Sequence, residues 1–311
     1  MMNKLHPGCT IGVVAPAWIP IPERLERGKS YLKNCGYHVR FSEHLNQTNK
    51  YFAGTDEQRL SDLNNMFADP DIDAIICARG GWGSLRLVHL LDYEIIKANP
   101  KPFIGYSDIT TLQLAIWKKT GMLSFSGPMV AVEMGKGIHP FTEKHFWDLL
   151  QNEKSHYVAN LDKTNAEVKN PGKAQGILLG GCLAMISTLL GTPFSPDYTD
   201  AILFIEDVGE KLYKIDRYLA HLQQAGIFDK ISAVILGEFL DCTPDPEDRS
   251  FTLDEIFTHY FADYTYPVIS QFPYGHGDVK ITMPIGCPSE LDGSAKTIRF
   301  ENPFYQRKSV V

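Results

Sequence analysis

Short apolar runs alternate with helix-like segments through the first half of the chain. Five runs are apolar and short enough to be buried strands: Ile11–Ala15, His38–Ser42, Ala74–Ala78, Phe103–Tyr106 and Leu123–Ser126. Between them, Glu57–Phe67 and Ile109–Lys119 carry apolar residues at helical spacing. Thr55 and Gln58 form a capping pair before the first of these helices. Strands that alternate with helices predict a parallel sheet covered on both faces.

Residues 153–173 separate this half from a second region. The segment is rich in Lys, Asn, Asp and Glu and ends in Asn-Pro-Gly, so we interpret it as a linker. Beyond it we predict three strands and two helices, at Ala201–Ile205, Ala233–Leu236, Val268–Gln271, Lys214–Gln224 and Leu253–Phe261. The expected fold is α/β: an N-terminal α/β domain over 1–152, the linker, and a C-terminal α+β domain with short strands over 174–311.

Composition narrows the function classes. The chain has 311 residues, of which 44% are hydrophobic, and a net charge of −7, which is typical of a globular protein with a sizeable core. Nucleic-acid binders usually carry a basic excess, so we expect no nucleic-acid partner. The six cysteines have no CxxC spacing, which favours reduced thiols over a zinc site.

The apolar runs are also too short for membrane insertion or export. The run Ile177–Ile186 cannot span a bilayer. The run Ile11–Ala15 is shorter than the apolar region of a signal peptide. We therefore expect a cytoplasmic protein without membrane contact.

Two turns follow predicted strands, at the edge of a parallel sheet where ligands usually bind. In Gly80-Gly81-Trp82-Gly83-Ser84, the glycines could direct backbone N–H groups at an anion, or simply form a tight βα turn. In Gly105-Tyr106-Ser107-Asp108, Ser107 could be a nucleophile on a sharp strand-to-helix turn. The alternative for Ser107 is a helix N-cap.

Acidic and imidazole groups of the second half are the other candidates for chemistry. Glu206 and Asp207 end a buried strand, where acids orient a histidine, bind a metal or cap a helix. His276 lies between two glycines in a loop and is the best candidate base, although a lone loop histidine is usually a surface residue. His139 and His145 lack the spacing of a helical metal pair.

Together, these motifs resemble the L,D-carboxypeptidase (muramoyltetrapeptide carboxypeptidase) family of serine peptidases. The resemblance rests on the ordered motifs Ala78–Gly83, Gly105–Asp108, Glu206–Glu210 and Gly275–His276, and it extends from Ile11 to Gly286. Leu212 and Met283 stand where the family often has a proline and a leucine. Both changes are apolar and lie away from the motifs.

The resemblance implies roles for five residues. Ser107 would be the nucleophile, His276 the base and Glu206 the acid that orients it. The backbone amides of Asp108 and Gly81 would form the oxyanion hole. No cofactor or metal is expected. A carboxypeptidase must also bind a terminal carboxylate, for which Arg79 and Arg217 are candidates; the alternative for either is a structural ion pair.

The same resemblance implies a murein peptide substrate that loses its terminal D-Ala during cell-wall recycling. One alternative is a self-immunity peptidase that hydrolyses peptidyl-nucleotide antibiotics of the microcin C type. Its sequences carry aromatic insertions near the linker, where this chain has only Tyr157. A second alternative is a non-catalytic α/β protein that binds a small anion at the Gly80-Gly81 turn. For the oligomeric state, a homodimer is an open alternative.

Overall fold

The structure, a computed structural model, describes residues 2–244 and 249–304. Its strands are β1 (Thr10–Val14), β2 (His38–Phe41), β3 (Ala74–Cys77), β4 (Phe103–Gly105), β5 (Ser124–Ser126), β6 (His156–Asn160), β7 (Glu167–Asn170), β8 (Lys173–Cys182), β9 (Ile202–Val208), β10 (Ala233–Leu240), β11 (Val268–Ser270), β12 (Met283–Ile285), β13 (Pro288–Asp292) and β14 (Thr297–Glu301). Its α-helices are α1 (Pro22–Asn34), α2 (Asp56–Ala68), α3 (Tyr93–Ala98), α4 (Thr110–Thr120), α5 (Pro140–Leu150), α6 (Leu183–Leu189), α7 (Leu212–Gln224) and α8 (Leu253–Phe261).

The first half forms a sheet with the strand order β12-β5-β4-β3-β1-β2. The five strands from the first half are parallel, as predicted. β12 comes from the second half and pairs antiparallel with β5, which the sequence did not predict. Strands β3, β4 and β5 are buried along their whole length. Such burial is typical of parallel strands with cover on both faces.

The second half forms a mixed sheet with the order β6-β14-β13-β8-β9-β10-β11-β7. Its centre, β8 to β11, is parallel, and the flanking strands pair antiparallel. The segment 153–173, interpreted as a linker, contains β6 and β7, which occupy the two edges of this sheet. The sequence analysis predicted neither of these two strands, and the division into 1–152, 153–173 and 174–311 stays a prediction.

Local signals in the sequence match several element ends. Thr55 and Gln58 form the predicted capping box of α2. Gly121 ends α4 in the left-handed conformation at φ 70°. α8 has the predicted bounds. These ends depend on contacts within a few residues, so the chain pattern alone determines them.

Helix α1 was not predicted, because few of its residues are apolar. It packs against a π-helical turn at Val130–Met134. The closest approach is at Gly28, where a methyl group would lie 2.0 Å from the carbonyl oxygen of Val130. Gly28 therefore lets the backbones of α1 and the π-helical turn come into contact. It stabilises the fold through this packing, although glycine has a low helix propensity.

We predict that Gly28→Ala destabilises the protein by about 1–3 kcal/mol, because the new methyl group must push α1 away from Val130. Helix propensity alone predicts the opposite sign, a gain of about 1 kcal/mol. Urea unfolding measures the difference. Ser30→Ala, on the exposed face of the same helix, is the control and should change stability by less than about 0.5 kcal/mol. An equal or higher stability of Gly28→Ala would contradict the close approach.

Candidate active site

Ser107 lies on a sharp turn between β4 and α4. A short 3₁₀ helix, Ser107–Ile109, joins the turn to α4, and Ser107 has a φ of 65°. This left-handed conformation is uncommon for a residue with a side chain. No side-chain hydrogen bond caps either helix. The Ser107 hydroxyl therefore does not act as a helix cap, and its partner lies elsewhere.

That partner is His276. Its Nε2 lies 2.9 Å from Ser107 Oγ, and its Nδ1 lies 2.7 Å from Glu206 Oε2. Glu206 is fully buried, whereas the His276 side chain keeps 16% of its surface exposed. The structure thus brings the three predicted residues into one hydrogen-bonded chain with its nucleophile end toward solvent. A nucleophile, a base and a group that orients the base are the parts of a serine hydrolase triad.

Asp207 follows Glu206 on β9 and points the other way, because side chains alternate along a strand. Its carboxylate accepts hydrogen bonds from the backbone N–H groups of Ala184 and Val208, each at 2.9 Å. Burial, and then the neighbouring Glu206 charge, raise the pKa of Asp207 to about 7. Of the two acids, Glu206 therefore faces the histidine, and Asp207 holds the start of α6.

The Gly-rich turn packs directly against the serine turn. A methyl group at Gly80 would lie 3.0 Å from Ser107 Cβ and 3.2 Å from its Oγ. Asp108 Oδ2 accepts a hydrogen bond from the backbone N–H of Ser84 at 2.9 Å, which ties the two turns together. Burial raises the pKa of Asp108 although this hydrogen bond opposes the shift. Gly81 is exposed and has a φ of 124°.

Polar contacts from the loop of His276 fix the second half of the chain to the first. Tyr274 and Ser126 share a hydrogen bond of 2.7 Å between their hydroxyl groups. The Thr142 hydroxyl donates to the carbonyl of Asp278 at 2.5 Å and accepts from the N–H of Lys280 at 2.9 Å. These bonds lie on both sides of His276 in the chain, so they fix the whole loop.

A buried charge network beneath the site was missed by sequence reasoning. Lys280 pairs with Glu133, which also accepts a hydrogen bond from the Tyr106 hydroxyl at 2.8 Å. The Tyr106 ring in turn meets the His276 ring edge-on, with 5.0 Å between centroids. Burial raises the pKa of Glu133, but the Lys280 charge and the hydrogen bonds from Lys280, Met129 and Tyr106 together outweigh burial, so the pKa is lowered overall. The signal that could have indicated this network is the position of Lys280 within the apolar run that follows His276.

The remaining candidates lie apart from this hydrogen-bonded chain. Arg79 is half-buried beside Gly80, whereas Arg217 is exposed on α7 and stacks over Tyr213 and Tyr218. His139 caps α5. His145 bonds the Tyr157 hydroxyl.

Within 2–244 and 249–304, no group of three His, Cys, Asp or Glu side chains could hold a metal. Over the same ranges, every helix is too short or too polar to cross a membrane.

Asp207 should make stability depend on pH. Its folded pKa of about 7 exceeds the ordinary 3.8, so between these values the folded state keeps a proton that the unfolded chain has lost. Stability from this group therefore falls as pH rises through that window. Between about pH 5 and about pH 7.5, we expect the free energy of unfolding of Asp207→Asn to fall less than that of the wild type, by on the order of 2 kcal/mol. Urea unfolding at the two pH values measures the difference. Equal slopes in both proteins would contradict the raised pKa.

The chain is similar to known proteins over most of its length. The LD-carboxypeptidase N-terminal domain matches residues 11–127, and the LD-carboxypeptidase C-terminal domain matches residues 175–291. A Bacillus subtilis protein named "Probable murein peptide carboxypeptidase" is 36% identical over 300 residues, which cover 96% of this chain and 93% of that protein.

Two solved structures have the same fold. A structure of MccF in complex with glutamyl sulfamoyl guanosine has a TM-score of 0.89 at 28% identity and covers 98% of this chain and 99% of MccF. Muramoyltetrapeptide carboxypeptidase from Oxalobacter formigenes has a TM-score of 0.84 at 29% identity, with 96% and 100% coverage. The predicted α/β class and two-domain arrangement are confirmed. The chain belongs to the LD-carboxypeptidase family and is a serine-type carboxypeptidase.

Proposed function

We propose that this enzyme releases the terminal D-Ala from a murein tetrapeptide through an acyl-enzyme on Ser107. The observation that carries the proposal is the hydrogen-bonded chain from Ser107 through His276 to Glu206, at 2.9 and 2.7 Å. The carboxypeptidase names of the relatives support the reaction class. A protein that only binds an anion would have no use for this chain of contacts.

Acylation begins with proton transfer. His276 Nε2 takes the proton of the Ser107 hydroxyl as Oγ attacks the carbonyl carbon of the peptide bond. Glu206 accepts the Nδ1–H hydrogen bond, which fixes the tautomer and stabilises the imidazolium that forms. The imidazolium then protonates the amine of the leaving D-Ala, and the remaining peptide stays bound to Ser107 as an ester.

The oxyanion that forms during attack needs hydrogen-bond donors. Asp108 lies in the first turn of a helix, where backbone N–H groups have no partner within the helix. Gly81 is exposed on the turn that packs against Ser107. Both amides are assigned to the oxyanion hole, where one donor is typically worth about 10²–10³ in rate. Water activated by His276 then hydrolyses the ester, without a cofactor or metal.

The murein peptide is favoured over a peptidyl-nucleotide substrate by the segment 153–173. Tyr157, its one aromatic residue, lies in β6, bonds His145 and stacks on Phe300 at 6.3 Å between centroids. It is therefore part of the sheet packing and is not available to hold a nucleotide base. We further assign the enzyme to the cytoplasm, where the murein peptide would be recycled.

The test is release of D-Ala from a murein tetrapeptide, with the tripeptide as the second product. Because triad members act as a unit, Ser107→Ala and His276→Ala should each lower kcat by about 10⁶. Glu206→Gln should cost less, on the order of 10⁴, because the acid orients the base but does not carry the proton. Mass spectrometry of the products measures all three.

Asp207→Asn is the matched control for Glu206→Gln, because it neutralises the adjacent acid on the same strand. It should retain turnover within about tenfold of the wild type, since Asp207 does not contact His276. A wild-type protein that leaves the tetrapeptide intact would overturn the proposed substrate. Turnover by Ser107→Ala within tenfold of the wild type would overturn the serine mechanism.

A further inference from the structure

A carboxypeptidase must recognise a negative charge close to the bond that it cuts. The terminal carboxylate is separated from the attacked carbonyl carbon by one amide nitrogen and one Cα, so its binding group must lie beside the nucleophile. Arg79 directly precedes Gly80, whose Cα packs on Ser107. Its Nε donates a hydrogen bond to the Gly80 carbonyl at 3.2 Å, which bends the side chain toward that residue.

Arg79 has a charge that the fold does not neutralise. Within 2–244 and 249–304, no carboxylate lies within salt-bridge distance of Arg79 or of Arg24. Arg79 is half-buried, and burial together with the nearby Arg24 charge lowers its pKa. Charges that lose contact with water on burial are normally paired. Two neighbouring cations without a carboxylate partner, one of them adjacent in the chain to a residue that packs on Ser107, therefore indicate a site for an anion from outside the chain.

The elements around Arg79 hold it in a defined orientation. Its guanidinium stacks over the Trp18 ring, 5.3 Å from the ring centroid. The Trp18 ring lies against Gly81, where a methyl group would come within 2.5 Å of it. Arg24 lies on α1, and its backbone packs closely on Gly135, which follows the π-helical turn. Trp18 is 38% exposed, so this surface is open to a ligand.

We propose that Arg79, supported by the charge of Arg24 and by stacking on Trp18, binds the C-terminal carboxylate of the peptide substrate. The guanidinium presents planar paired donors that match a carboxylate, and stacking leaves those donors free at the ring edge. This inference rests on the proposed function and assigns the determinant of its carboxypeptidase specificity. Arg217, the other candidate from the sequence, is exposed and stacks on tyrosines of its own helix.

The test compares a murein tetrapeptide with the same peptide carrying a C-terminal amide. The two ligands differ only in the terminal charge, so any other charges in the peptide cancel in the ratio of their dissociation constants. Calorimetry on Ser107→Ala measures binding without turnover. We expect Ser107→Ala to bind the acid about 10- to 100-fold more tightly than the amide, as for a charge-assisted hydrogen bond.

In the Ser107→Ala protein, adding Arg79→Met should weaken binding of the peptide acid and leave binding of the peptide amide nearly unchanged. The ratio of the two dissociation constants should then come close to one. Arg79→Lys keeps the charge but loses the planar fork, so it should restore part of the preference. Arg24→Met should reduce the ratio by a smaller factor. Arg217→Met is the matched control and should leave the ratio unchanged.

Two results would overturn the Arg79 site. One is a preference for the acid over the amide that Arg79→Met leaves unchanged. The other is equal binding of the two peptides by Ser107→Ala itself. The D-Ala release assay is independent of this result. If the wild-type protein cleaves the tetrapeptide but Arg79→Met leaves the acid-to-amide ratio unchanged, the proposed function stands and only the Arg79 inference is overturned. Binding of neither peptide, with no D-Ala release, would overturn both.

Discussion

The hydrogen bond between Ser107 and His276 joins positions 169 residues apart in the chain and on loops of different sheets. A proton can pass between them only if the two halves keep a fixed relative position, because an error of about 1 Å can cost about 10²-fold in rate. The contacts of Tyr274 with Ser126, and of Lys280 with Thr142 and Glu133, join the two halves and supply that constraint. β12 extends it, because it carries the chain after His276 into the first sheet.

The local geometry of the site follows from simple backbone rules. Ser107 adopts a positive φ because the chain must leave β4 and enter a helix within two residues, which leaves its hydroxyl facing the His276 ring. Adjacent positions on β9 then separate two carboxylates into different environments. Glu206 faces the imidazole, while Asp207 binds backbone N–H groups at α6. Strand alternation alone thus gives the two neighbouring acids different partners.

The sequence carries enough information to predict the elements whose signals are local. The strand–turn–helix around Ser107, the capping box of α2 and the glycine that ends α4 all depend on neighbouring residues. Helix α1 escaped prediction because its contact position is Gly28, which has no apolar side chain to reveal the buried face. β6 and β7 were not predicted because edge strands exposed to water can be polar.

In the candidate site too, features with local sequence signals could be predicted, and features that depend on distant contacts could not. Ser107, Glu206 and His276 stand in recognisable motifs, so the sequence could propose them together. The Lys280–Glu133 pair spans 147 residues, and only the folded chain brings it together. The orientation of Arg79 likewise depends on Trp18, which lies far away in the sequence. Pairings of this kind arise from tertiary packing, which residue patterns do not encode locally.

In the mechanism that we propose, the peptide becomes covalently attached to Ser107. Acid-quenched mass spectrometry of the wild-type enzyme during turnover of a murein tetrapeptide tests it directly. We expect the proteolytic fragment that contains Ser107 to gain the mass of the tripeptide acyl group, and Ser107→Ala to show no such adduct. Turnover with Ser107 unmodified at every quench time, or an adduct on another residue, would contradict it.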